Sequence, residues 1–153
     1  MIALLQRVSD ARVTVAGAEV GRIARGLVVL LAVERGDARA QSERLVERIL
    51  GYRVFPDEQD RMNLSLLDMG GGLLLVPQFT LAADTDKGMR PSFTSAANPE
   101  QGRTLFEYTV ERARARLGDR LATGVFGAQM SVTLTNDGPV TFWLRAGTGA
   151  ASG

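Results

Sequence analysis

Two short segments carry residues able to do acyl chemistry. In LLLVPQFTL, Leu73 to Leu81, a proline interrupts an apolar run directly before Gln78, Phe79, Thr80 and Leu81. Pro77 deletes a ladder donor, so regular strand pairing must end, bulge or lie at an edge there. The amides of Gln78 and Phe79 would then be free beside the Thr80 hydroxyl, donors that can stabilise an oxyanion without histidine. A plain strand end accounts for the same residues. In LTNDGPVTFWL, Leu134 to Leu144, Asp137 and Gly138 are favoured turn residues, but the proline after them is not. A cis Gly138–Pro139 bond would aim two carbonyls the same way, toward a ligand amine; a trans bond leaves an ordinary turn. A third segment, DKGMRPSF, sets Lys87 and Arg90 on a loop beside an aromatic, a patch that suits phosphate or is simply solvated.

What is missing narrows the chemistry further. The chain has no histidine and no cysteine, which excludes histidine triads, thiolate nucleophiles and the commonest zinc ligands. Gly70 to Gly72 precedes a strand and not a helix, so it does not make a dinucleotide fingerprint. Asp84 and Asp86 start like a calcium loop, but Met89 and Ser95 stand where glycine and a bidentate glutamate are required. No metal is expected there. The net charge of +1 gives no global nucleic-acid signature, so any RNA contact must be local. All basic residues except Lys87 are arginine, a skew that reads as genome composition.

The elements that must position these segments follow from periodicity. The 153 residues suit one domain, and 45% hydrophobic with 23% charged residues is a globular balance. Strands are predicted at Ala3 to Val8, Arg12 to Val15, Val20 to Ile23, Leu27 to Val33 and Tyr52 to Phe55. Asp37 is read as the N-cap of a helix carrying Leu45, Val46, Ile49 and Leu50 on one face. Pro56 to Asn63 reads as a polar loop, Leu73 to Val76 as a strand and Ala82 to Asn98 as a long ordered loop. Asn98 as N-cap, Pro99 at the first position and Gln101 at N3 announce a second helix, with Leu105, Phe106, Val110 and Ala113 inward and an end near Gly118. Met130 to Thr135 alternates as a strand, Asn136 to Pro139 is read as a turn, and Val140 to Leu144 as the returning strand. The expectation is an α+β domain over residues 1–145, with largely antiparallel sheets, barrel-like or layered as a sandwich, and two main helices on one side. Residues 146–153 are expected to form a flexible tail. The longest apolar run, Leu27 to Val33, is too short to span a membrane, and MIALLQRV has neither a basic start nor a cleavage site, so a cytoplasmic location is expected.

Taken in order, LLQRVSDARVTV, GLVVLLAVERGD, MNLSLLDMGGGLLLV, QFTL, KGMRPSF and NDGPVTFWL resemble the bacterial and eukaryotic D-aminoacyl-tRNA deacylase family along nearly the whole chain. The resemblance implies a homodimer with two sites at the subunit interface and no need for a metal or organic cofactor. It implies a cis Gly138–Pro139 element that reaches into the partner's site and excludes the side chain of an L-amino acid, leaving room for a D side chain or glycine. Hydrolysis of the ester at the tRNA 3′ end would rest on backbone groups of Gln78 to Leu81 and on the 2′-hydroxyl of the terminal adenosine, with Thr80 as the competing nucleophile. Phe126 and Met130 would hold the adenine, Arg7 would brace the Gly-Pro loop, and Asn136 belongs to the same motif. Lys87 and Arg90 would meet phosphate. Three positions depart from the family pattern: Pro77 stands where serine is usual, Ala82 where an aromatic often follows, and Gln129 where an acid is usual. Two other readings stay open, a module that binds the tRNA acceptor end without hydrolysing it and a related deacylase with altered aminoacyl selectivity.

Overall fold

The structure is a computed structural model that describes residues 1–147. Eight strands and three helices follow in order: β1 Ile2–Val15, β2 Ala18–Ile23, β3 Gly26–Ala32, α1 Arg39–Gly51, β4 Phe55–Pro56, β5 Met62–Leu64, α2 Leu66–Met69, β6 Gly72–Pro77, α3 Pro99–Leu117, β7 Leu121–Thr123 and β8 Ser131–Arg145. The main sheet runs β2-β1-β3-β6-β7, with β8 along the other edge of β1, and β4 and β5 form a separate pair. Pairing is antiparallel except where β3, β6 and β7 lie parallel. The sheet nearly closes on itself. A Cβ on Gly21 of β2 would stand 2.7 Å from the Thr123 carbonyl oxygen of β7, so glycine is needed for the two strands to come this close.

Strand alternation divides the apolar residues between two cores. Leu27, Val29 and Leu31 of β3 and Leu73 and Leu75 of β6 meet Leu45, Ile49 and Leu50 of α1 and Leu105, Phe106 and Ala113 of α3. Val28 of β3 and Leu74 and Val76 of β6 point the other way, into a second cluster with Val8, Ala11, Val13 and Ile23. Both long helices therefore cover one face, which makes the protein the expected α+β type. The second helix matches its signals closely: Asn98 Oδ1 accepts from the Gln101 amide at 2.9 Å, Pro99 opens α3 and Gly118 caps it.

Several sequence expectations are corrected. Arg12 to Val15 is not a separate strand, because β1 continues unbroken from Ile2 to Val15. The N-cap of α1 is Ala38, whose amide donates to Gln41 Oε1 at 2.8 Å. Asp37 is drawn elsewhere: its carboxylate accepts from the Glu34 amide and pairs with the buried Met1 ammonium, both at 2.7 Å. Of the predicted strand Tyr52 to Phe55 only Phe55 is strand, continued by Pro56, and Pro56 together with Met62 and Asn63 of the partner strand Met62–Leu64 lies in the stretch read as loop. Ser65 then caps the short α2, and Gly70 ends it in the left-handed conformation, so this glycine stops a helix before Gly72 opens β6. Asn136 to Pro139 is not a hairpin turn: β8 stays on β1 throughout and bulges there. Ala146, placed in the expected tail, is buried and donates its amide to the Met1 carbonyl at 2.9 Å. Residues 148–153 of that tail lie outside the described residues.

Glu34 links this region to pH. Burial pushes its carboxyl up, but hydrogen bonds from Arg145 and from the Met1 ammonium outweigh burial and hold it below the ordinary value. The unfolded chain then binds more protons than the folded one in the acid range. Stability from Glu34 is complete above the ordinary carboxylate value and is lost as pH falls through the lowered one. Urea midpoints should decline with acidification, and Glu34→Gln should flatten that decline. It should not abolish it, because Asp57 and Asp68 are also lowered, by the Arg61 and Ser65 backbone amides respectively. Identical midpoint-against-pH curves for the two proteins would refute this assignment.

Candidate active site

Pro77 ends β6 in register with Leu31 of β3, and the next residue turns away. In a parallel ladder the Leu31 carbonyl bonds the residue after its partner, and Gln78 donates to it at 2.7 Å. This corrects one expectation, since the Gln78 amide is not free. The following residues form a tight 3₁₀ turn, Phe79–Ala82, whose first amides have no partner within the turn. Among the described residues the amides of Phe79 and Thr80 have no acceptor. The Gln78 side chain donates to the Thr80 hydroxyl, and among the described residues no ionisable group is hydrogen-bonded to Thr80.

Gln78 and Phe79 stand on the wall of a cleft of about 550 Å³, between the ends of β3 and β6, the start of α3 and the segment leading into β8. Phe126 and Met130 line it with Phe106 and Val132, and Asn98 and Gln129 add polar groups. The Phe126 ring lies 6.1 Å from that of Phe106, and Met130 Sδ accepts from the Val125 amide at 3.4 Å. Two glycines, not singled out in the sequence, make room for these side chains. A Cβ on Gly102 would approach Phe126 Cζ to 3.3 Å, and one on Gly124 would come within 2.7 Å of Met130 Sδ. Gly102 carried a signal that could have been used: a glycine inside a helix costs about 1 kcal/mol relative to alanine and asks for a packing reason.

The Gly-Pro element lies elsewhere in the same chain. Between the pairs Gln6–Thr141 and Val8–Asn136, β1 has only Arg7 where β8 has Asp137, Gly138, Pro139 and Val140. The surplus residues loop out as a bulge. Arg7 fastens it: Nε donates to the Asp137 carbonyl at 3.2 Å, while Nη1 donates to the Val54 carbonyl at 2.7 Å. The Asp137 carboxylate lies 3.4 Å from Arg7 Nε. Asn136 closes the base of the bulge, accepting from the Val140 amide at 3.1 Å and donating to the Thr141 hydroxyl at 3.0 Å. The Gly138–Pro139 bond is cis, and both residues are exposed.

The register measures the separation. Arg7 pairs with Leu27 on β3, and Leu31 pairs with Pro77, so the bulge and Pro77, the residue before Gln78, are four residues apart along β3, about 13 Å. Two strands, β1 and β3, stand between β8 and β6, a further distance of about 14 Å across the sheet. The remaining predicted residues also fall apart from the cleft. Leu81 packs with Ile2, Ala32, Ala82 and Ala96 and not on the cleft wall. Lys87 and Arg90 are exposed on the loop from Ala83 to Asn98, which is joined by the Asp84–Ser92 bridge and rests Phe93 on Phe79 at 5.2 Å.

Residues 4–145 match the model of the D-Tyr-tRNA(Tyr) deacylase family. The chain belongs to this family. Among curated family members, the D-aminoacyl-tRNA deacylase of Thioalkalivibrio sulfidiphilus is 65% identical over 145 residues, covering 95% of this chain and 97% of its own. That of Methylococcus capsulatus is 63% identical over 145 residues, 95% of this chain and 94% of its own. A solved structure titled c-Myc DNA Unwinding Element Binding Protein superposes with a TM-score of 0.93 at 37% identity, over 97% of this chain and all of that one.

Proposed function

We propose that this protein hydrolyses the ester between a D-amino acid, or glycine, and the 3′-terminal adenosine of tRNA. The observation that carries the reading is the turn at Phe79–Ala82: its Phe79 and Thr80 amides are unpaired among the described residues, and Phe79 stands on the wall of a cleft large enough for a nucleoside and lined by Phe126 and Met130, whereas Thr80 itself is not on that wall. Apolar and aromatic walls suit a purine face, and paired amides suit a developing oxyanion. Water adds to the ester carbonyl and loses its proton to solvent. The carbonyl oxygen takes up negative charge facing the amides. Collapse expels the ribose 3′-oxygen, which takes a proton, leaving the free amino acid and a tRNA with its 3′-hydroxyl restored. The 2′-hydroxyl of the same ribose assists, since Thr80 has no base to activate it.

In this reading the enzyme is a homodimer and the bulge of one protomer enters the cleft of the other. The separation of Gly138 from Gln78 within a chain, over 10 Å in each direction along the sheet, supports that arrangement. The Gly138 and Pro139 carbonyls then occupy the volume an L side chain requires, so chirality is read by exclusion. Residues 1–145 act as one deacylase domain in the cytoplasm; among the described residues no helix is long and apolar enough to cross a membrane. Lys87 and Arg90 contact tRNA phosphate at the acceptor end.

Incubation with D-aminoacyl-tRNA and its L counterpart, in the presence of an exhaustive chelator, tests the reading. The D ester is expected to disappear and the L ester to persist, with chelation making no difference. Protection of both esters would favour an acceptor-end binding module instead, and activity restored only by an added metal would reject the mechanism.

A further inference from the structure

Arg103 lies on the second turn of α3. Its guanidinium carbon lies 5.0 Å from the centre of the Phe126 ring, and one terminal nitrogen lies 3.5 Å from where a Cβ on Gly127 would stand. The side chain is therefore draped over the 126–127 edge of the cleft. Its ion pair with Glu107 is loose, 3.9 Å, with both side chains more than half exposed at 54% and 65%. A guanidinium resting on an aromatic face keeps its in-plane N–H groups turned outward, a planar fork that matches a phosphate oxygen pair. Local stacking explains the contact with Phe126 but leaves those donors unused. A nucleoside whose base lies against Phe126 carries one nearby anionic group, the phosphate on its 5′ carbon.

We propose that Arg103 is a binding residue for the phosphodiester on the 5′ side of the terminal adenosine, and that it makes the cleft select a nucleotide over a bare nucleoside. This rests on the adenosine reading of the cleft given above. It differs from the contacts assigned to Lys87 and Arg90, which lie on the loop from Ala83 to Asn98. One charge-assisted phosphate contact corresponds to a preference of about tenfold or more.

The test compares adenosine with AMP by titration calorimetry, and the D-tyrosyl 3′-esters of the same two molecules as substrates, on the wild-type protein, Arg103→Ala and Arg103→Lys. The wild type is expected to prefer the phosphorylated partner about tenfold in both affinity and kcat/KM, Arg103→Ala to bring both ratios near unity, and Arg103→Lys to recover part of them. The salt dependence of binding to aminoacyl-tRNA should also lose about one unit of slope in Arg103→Ala. If Arg103 only supports Phe126, the substitution lowers binding of adenosine and AMP alike and leaves the ratio unchanged, which overturns the proposal, as does a wild type without AMP preference. An AMP preference that depends on Arg103, in a protein that hydrolyses no D-aminoacyl ester, would uphold the phosphate site and overturn the deacylase reading alone.

Discussion

A D-aminoacyl-tRNA ending in 2′-deoxyadenosine is expected to be hydrolysed about 10² to 10³-fold more slowly than its ribose counterpart, the scale of removing one group that stabilises an oxyanion. Thr80→Ala is expected to retain at least roughly a tenth of the wild-type rate, since proton transfer by a positioned side chain contributes more than that when it operates. The contrast follows from the turn at Phe79–Ala82. The Thr80 hydroxyl accepts from Gln78 Nε2 and, among the described residues, has no ionisable partner to take its proton, whereas its backbone amide survives truncation of the side chain. Single-turnover deacylation of the two substrates by the two proteins decides the matter. An inactive Thr80→Ala variant together with normal processing of the deoxy substrate would make Thr80 the nucleophile.

Gly138→Ala should reduce hydrolysis of D-aminoacyl-tRNA by well over about tenfold while leaving the protein folded. Gly138 has φ +133, a conformation L side chains rarely adopt, and an added Cβ would fall 2.6 Å from Val140 Cγ2 and 2.9 Å from the Val140 nitrogen. Arg7 Nη2, at 3.3 Å, closes off another direction of escape. Such strain amounts to about 1–3 kcal/mol and must be relieved by reshaping the bulge. Because Gly138 is exposed and outside both apolar clusters, global stability should fall only by that local amount. Activity depends on the bulge's shape to within fractions of an ångström if it fills the partner's cleft, so the loss in kcat/KM should exceed what the change in Tm explains. A variant with lowered Tm and unaltered kcat/KM on D and L substrates would remove the bulge from the site.

How much of this was legible in the sequence depends on whether a signal was local. Helix α3 was readable because Asn98, Pro99 and Gly118 act on their own neighbours. Asp37 misled because the group it satisfies, the Met1 ammonium, is far away in sequence, and a buried charge outcompetes a helix amide for a carboxylate. The turn residues of NDGP were read as a hairpin because turn propensity does not reveal that a long partner strand, β1, holds both flanks in line. Gln78 had the right neighbours but its amide was wrongly counted as free, since only the register with Leu31 shows the carbonyl waiting for it. The cleft residues Phe126 and Met130 came from resemblance; Gly102, Gly124 and Arg103, which shape its wall and edge, carry no motif.

The pairing of β1 with β8 also bears on how the chain is made. β1 finds β2 and β3 within the next few residues of chain, yet its other edge is paired by β8, more than a hundred residues on, with Ile2 opposite Arg145. At an elongation rate of about 5 to 20 residues per second the ribosome takes roughly 7 to 29 s to travel from Ile2 to Arg145. Throughout that interval the nascent meander presents an apolar strand with an open row of backbone donors and acceptors, the geometry that invites pairing with other chains. Arg7, Asp10 and Arg12 interrupt that edge with charge before β8 arrives. The residue that braces the bulge in the finished protein thus also helps keep the unfinished one from sticking.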